Sequence, residues 1–267
     1  MNLYQSIFRR KSVRKYFDQE LSEEVLDQIK TIIESPESLY DIDIDIKLIK
    51  NGPQIYQAMK GIIGNIGKIL APHYLLVTSE NKDGYLVNSG YILEEVILKL
   101  TEMGIATCWI GGHQKVEEIN KIIDISDNHE YMFMISFGYP EDGVHLYRKK
   151  LNEIKRKSIT DLVINSNKIH LDSTLKKIFS AIRVAPSAAN SQPWRFKVDE
   201  NKIHVFMEKR GFIKKHFFGT INLVDIGIAL KHLEIAAEHH GRTIRFKKSS
   251  EIKEGALNYI TSVEIIQ

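Results

Sequence analysis

Only one of the 267 residues is cysteine, Cys108, so no intrachain disulfide can form and a reducing compartment is the expectation. No apolar run approaches the length needed to cross a bilayer. The opening MNLYQSIFRRKSVRKYF carries cations where a secretory leader would carry its apolar stretch. Proline is scarce, with 6 residues, and no proline-, glycine- or serine-rich linker cuts the chain. Charge of one sign is missing too: 37 Lys and Arg face 34 Asp and Glu, a net +3 that is too small to argue for nucleic acid. What remains is an ordinary cytoplasmic globular chain with neither nucleic acid nor membrane as partner. It is long enough for one large domain or two small ones.

Within it, SEEVLDQIKTIIE (22–34) places apolar residues at helical spacing behind Ser22 as N-cap. DIDIDIKLIK (41–50) alternates and reads as a half-buried strand. A strand at 74–79, a helix from about 88 to 103, strands near 107–110 and 131–137, and a helix over 172–183 follow. The basic stretch 147–160 reads as an exposed connection. LVNSGYILEEVILKLTEMG (86–104) and LVDIGIALKHLEIAAEHHG (223–241) match in register, and each ends on a glycine suited to stop a helix. An internal duplication, shortened in its second copy, accounts for the match.

Arg10, Ser12 and Arg14 alternate, so an extended backbone points them one way, and two guanidinium forks with a hydroxyl suit a phosphate. VAPSAANSQPWRF (184–196) follows an apolar helical run with residues that cannot continue a helix. These segments resemble the FMN-dependent nitroreductase superfamily. The Arg-x-Ser-x-Arg segment before an acidic helix resembles its start. Pro186, Ser187, Asn190, Gln192, Pro193, Trp194 and Phe196 match its P-S-x-x-N-x-Q-P-W-x-F loop. Asn65, Lys68, Ala71 and Pro72 are similar to its Asn-x-x-Lys…Ala-Pro segment, GIATCWIGG (104–112) to its G-x-x-T-C-W-I-G-G turn, and ISFGYP (135–140) with RKSITDLV (156–163) to its closing strand and basic segment. In that family the serine–asparagine loop follows the first helix. Here ESPESLYD (34–41) stands in that place and the loop comes only after residue 183.

The resemblance implies an α+β nitroreductase-like fold, a mixed and mainly antiparallel sheet flanked by helices, built as a pseudo-dimer. Residues 1–165 would form one half, and 166–267 a shorter half that completes a single FMN site. Arg10, Ser12 and Arg14 would hold the phosphate, with Lys155 or Arg156 as a second clamp. Asn65 and Lys68 would meet the pyrimidine edge, Gly111 and Gly112 would reach flavin N5, and Pro186, Ser187, Ala188 and Asn190 would cover the cofactor from the other half. NADH or NADPH would deliver hydride, and a nitroaromatic, quinone or similar small molecule would accept it. No side chain is expected as nucleophile, and a flavin-binding sensor or storage protein is the competing expectation. A monomer suffices if the halves are fused, with a homodimer as the other arrangement. No metal is expected: His239 and His240 lack companions at ligand spacing. GIIGNIG (61–67) lacks the spacing of a dinucleotide loop. Cys108 reads as packed rather than reactive, and YRKKLNEIKRK (147–157) as solvated rather than nucleic-acid binding.

Overall fold

A computed structural model describes the chain except residues 60–68, 111–120, 122, 166, 210–211, 250–251, 253–254 and 267, and the side chains of 59, 131 and 212–220. Helix α1 (Leu3–Arg9) begins with a reciprocal cap between Asn2 and Gln5. Helix α2 (Glu23–Glu34) starts where the sequence places it. The Ser22 side chain accepts from Val25 N, Glu23 and Glu24 favour the positive helix end, and Leu26 and Ile29 are buried. Strand β1 (Ile44–Ile49) begins three residues later than the alternation implies, and all six of its residues are half-buried. Its place explains this: β1 is the outermost strand of its sheet, so neither face is fully covered.

After α3 (Gly52–Met59) come β2 (His73–Glu80), α4 (Tyr85–Glu102), β3 (Ala106–Ile110) and β4 (His129–Gly138). The short α5 (Ile159–Leu162) leads to α6 (Ser173–Arg183), β5 (Trp194–Asp199), β6 (Lys202–Glu208), α7 (Phe212–His239), β7 (Thr243–Lys247) and β8 (Leu257–Ile266). Two four-stranded sheets result, in the orders β1-β2-β4-β3 and β5-β6-β8-β7. Every pairing within them is antiparallel, and each sheet carries a register shift at the same place, at Val77/Thr78 in β2 and Val205/Phe206 in β6. The chain crosses between them at Val163, which bridges Phe196 in parallel, while the Asn165 amide exchanges two hydrogen bonds with Val198 along the edge of β5.

The matched segments of the sequence lie at the centre, as α4 and α7. Gly104 and Gly241, at φ +80° and +70°, stop them in the left-handed region that glycine adopts freely. Closest approach comes at two equivalent glycines. A Cβ on Gly90 would stand 2.1 Å from the Val224 carbonyl oxygen, and one on Gly227 would stand 2.0 Å from that of Val87. A little further along, charges cross the seam. His232 Nε2 lies 2.9 Å from Glu94, and Lys231 Nζ lies 2.9 Å from Glu95. Burial would raise the Glu95 carboxyl, yet Lys231 and Lys99 hold it below the usual carboxylate range. One hydrophobic cluster runs through α4, α6 and α7 and both sheets, and a second, with Ile55, Tyr74, Leu76, Cys108 and Met134, lies on the first sheet alone.

Candidate functional site

Helix α6 ends at Val184, and Pro186 forbids another turn. The loop beyond is held in an unusual backbone. Ala189, Asn190 and Gln192 have φ of 50°, 53° and 48°, where a side chain is rarely accommodated. What compensates is a set of specific bonds. Asp225 of α7 accepts from Ala188 N at 3.0 Å, Ser187 Oγ accepts from Gln192 N at 3.0 Å, and Gln192 Oε1 accepts from Lys157 N at 2.7 Å. Trp194 is fully buried beneath the loop, as a core residue.

Opposite this loop stands basic machinery from the other end of the chain. Arg10 caps α1, pairs in a bridge with Tyr147 and is only 5% exposed. Ser12 bridges Thr107 of β3. Arg10, Ser12 and Arg14 do share a side: all three act on the Cys108 thiol, which burial pushes up and which Arg14, Arg10 and the Ser12 hydrogen bond pull back. Arg14 is the exposed member of the set. Arg156 donates through Nη1 to Asn190 Oδ1 and through Nη2 to the Val184 carbonyl at 3.2 Å, and Asn190 Nδ2 donates to the Lys155 carbonyl at 2.8 Å. The late basic segment and the 184–190 loop are thus tied together, through the Lys155 backbone and the Arg156 side chain. Asn65, Lys68, Gly111 and Gly112 lie outside the described residues.

One buried cation was not legible. Arg148 sits within the stretch read as an exposed connection, yet it is 5% exposed, with its N–H donating to the Arg9 carbonyl at 2.7 Å. Lys149, Lys150 and Lys155 around it are exposed. Burial, and then the charge of Arg10, pushes the Arg148 guanidinium down to about 10 against the opposing pull of Glu153; burial, Arg148, Arg10 and Arg183 do the same to Arg156. Arg10 Nη1, Arg148 Nε and Arg156 Nε are all buried without a hydrogen-bond partner. Among the described residues no carboxylate forms an ion pair with any of the three.

Asp225 was also missed, and its counterpart is instructive. Asn88, at the matched position of α4, accepts from Leu39 N and Tyr40 N at 2.8 and 3.0 Å. Residues 39 and 40 are thus held from α4 much as residue 188 is held from α7. Beside them lies a cavity of about 690 Å³, lined by Tyr40, Lys82, Asp83, Lys248 and Tyr259 among others, with no arginine among the described residues. Of the features set aside, Cys108 is buried, and His239 stacks on Tyr4 at 4.0 Å. No His, Cys, Asp or Glu cluster could hold a metal, and no helix is long and apolar enough to cross a membrane, among the described residues.

Two similar antiparallel sheets around a central helix pair, with Arg156 bonded to a loop of left-handed residues, define an α+β protein of nitroreductase-like fold. A family model described as "Putative TM nitroreductase" matches residues 2–237, and the chain belongs to that family. A nitroreductase from Thermotoga maritima is 24% identical, with a TM-score of 0.63, over 100% of this chain and 94% of its own. A nitroreductase family protein from Clostridium difficile 630 is 20% identical, with a TM-score of 0.50, over 64% of this chain and 100% of its own. A Bacteroides fragilis nitroreductase with bound FMN is 19% identical, with a TM-score of 0.48, over 65% and 100%. None of the curated proteins matches the chain.

Proposed function

We propose that this chain is an FMN-dependent NAD(P)H oxidoreductase, with one FMN held between residues 1–165 and 166–267 acting as the halves of a fused pseudo-dimer. The observation that carries the reading is the pair of buried, unpartnered nitrogens, Arg10 Nη1 and Arg156 Nε, at the place where the 184–190 loop meets the basic segment. Buried donors with nothing to donate to fit an anionic group. Arg10, Ser12, Arg14 and Arg156 would hold the phosphate. Pro186, Ser187, Ala188 and Asn190 would bound the cofactor from the second half, and Asn65, Lys68, Gly111 and Gly112 would complete the pocket. Bound FMN supplies two-electron chemistry between NADH or NADPH and an acceptor such as a nitroaromatic or quinone.

The protein's own part is position and charge. Asp225 and Ser187 fix the loop through backbone N–H groups, which keeps its left-handed residues in one shape. Asn190 orients Arg156 while Val184 takes its other arm. The hydrophobic cluster common to both sheets supports a monomer, and one buried cysteine fits a cytoplasmic setting. Titration of purified protein with FMN, followed by NAD(P)H oxidation with menadione, tests the reading. No binding at micromolar FMN would overturn it, and binding without sustained turnover would make the protein a flavin sensor or store.

A further inference from the structure

The guanidinium cluster holds more positive charge than the resemblance accounts for. Arg148 lies outside every motif that carries the likeness, yet it is as buried as Arg10. Its position is fixed from two sides: its N–H donates to the Arg9 carbonyl at 2.7 Å, and its Nη1 donates to the Phe8 carbonyl at 3.2 Å. Both anchors belong to α1 and leave Nε facing no acceptor. Arg156, whose own Nε is equally unpartnered, is anchored to the second half through Asn190 and Val184. Arg10 contributes a third buried nitrogen without a partner. Two guanidiniums withdrawn from water beside a half-buried third, offset among the described residues only by the charge of Glu153 near Arg148 and by the carbonyl end of α1, are costly unless an anion joins them. A single carboxylate would balance one of them. A tetrahedral dianion offers charge and lone pairs enough for several forks at once.

We propose that Arg148, together with Arg10 and Arg156, forms a binding site for a phosphate dianion at the seam between the halves, with Arg148 as its innermost ligand. The site takes inorganic phosphate in flavin-free protein and the phosphate of the cofactor in the loaded protein. It rests on the flavin reading only for the second of these. Phosphate bound there joins α1 to the 184–190 loop, so anion binding and docking of the halves are linked.

Thermal melts of the full-length, flavin-free chain test this, with inorganic phosphate against chloride at matched ionic strength. The unmodified protein should melt several degrees higher in millimolar phosphate than in chloride. Arg148→Gln should lose that rise. Without phosphate it should melt no lower than the unmodified protein, because one of three mutually repelling charges, two of them buried, is gone. Arg148→Lys should keep part of the rise, and Lys149→Gln, at an exposed neighbour, all of it. In a second arm Arg148→Gln should weaken FMN tenfold or more and leave riboflavin unchanged. A purely structural Arg148 would lower the melting temperature equally with and without phosphate, and would weaken riboflavin as much as FMN; either result overturns the proposal. If phosphate stabilises the unmodified protein but FMN does not bind, the anion site stands and the flavin reading falls.

Discussion

Gly227→Ala isolates the contact on which α4 and α7 close. The Cβ would stand 2.0 Å from the Val87 carbonyl oxygen and 2.7 Å from Tyr91 N, both backbone atoms of α4 that no rotamer change can move. Ordinary contact begins near 3.4 Å, so the helices must part by about 1.4 Å at that point. Helix propensity alone favours alanine over glycine by about 1 kcal/mol. Overpacking of a well-packed core costs about 1–3 kcal/mol, occasionally more. Here it acts on backbone, and parting the helices also opens voids around Val224, Ile228 and Tyr91, which are all buried at the seam. Taking the cost at or just above the top of that range, about 3–4 kcal/mol, and subtracting about 1 kcal/mol of propensity leaves an expected net loss of about 2–3 kcal/mol. Urea unfolding followed by circular dichroism measures it. Gly90→Ala should cost a similar amount, because its Cβ meets Val224 in the same way. The double variant should cost clearly less than the sum, since helices already forced apart accommodate the second methyl. If Gly227→Ala is neutral or stabilising, propensity has outweighed packing and the close-approach argument is wrong.

Arg10→Gln, and to a smaller degree Arg14→Ala at its exposed position, should weaken FMN by up to about 1.5–3 kcal/mol while sparing riboflavin; equal losses for both ligands would assign these residues to folding. Asn190→Ala should weaken FMN by about 1 kcal/mol through release of Arg156, with no change in oligomeric state by light scattering; a contact to residue 190 of a second chain would contradict it. His73 is fully buried, accepts from Leu21 N through Nε2 at 2.9 Å, and is held below its ordinary value of 6.5 chiefly by burial. The unfolded chain therefore takes up a proton below 6.5 that the folded chain refuses, so stability falls as pH drops from 6.5. His73→Gln should flatten that slope in denaturation measured from pH 7.5 to 5.5, and an unchanged slope would place the effect elsewhere.

Elements governed by local rules were legible in the sequence. Ser22 with its acidic first turn marks α2, and the two glycine-terminated segments mark the central helices. The half-burial of β1 was legible, but its first residue was not, because an edge strand ends where its partner ends rather than where its alternation does. At the candidate site the motifs mark their own residues in the sequence, while residues that hold those motifs in place from afar carry no mark. Asp225 steadies a loop 37 residues away, and nothing local marks it. Arg148 is one cation in a basic run, and only the bridge between Arg10 and Tyr147 decides which of them turns inward. Burial of one lysine or arginine among several is a tertiary fact.

The charges crossing the α4–α7 seam have a consequence for descent. Glu94 and Glu95 stand on one helix, and Lys231 and His232 at the matched positions on the other. Two identical helices related by a twofold axis could not carry this pattern, since each substitution would appear on both sides and set acid against acid or base against base. Joined in one chain, each helix can change alone, and acid can accumulate on one side while base accumulates on the other. Every such exchange makes the first half a poorer partner for its own copy. A second copy of α4 set where α7 lies would bring carboxylate against carboxylate, so this helix is built for an unlike partner.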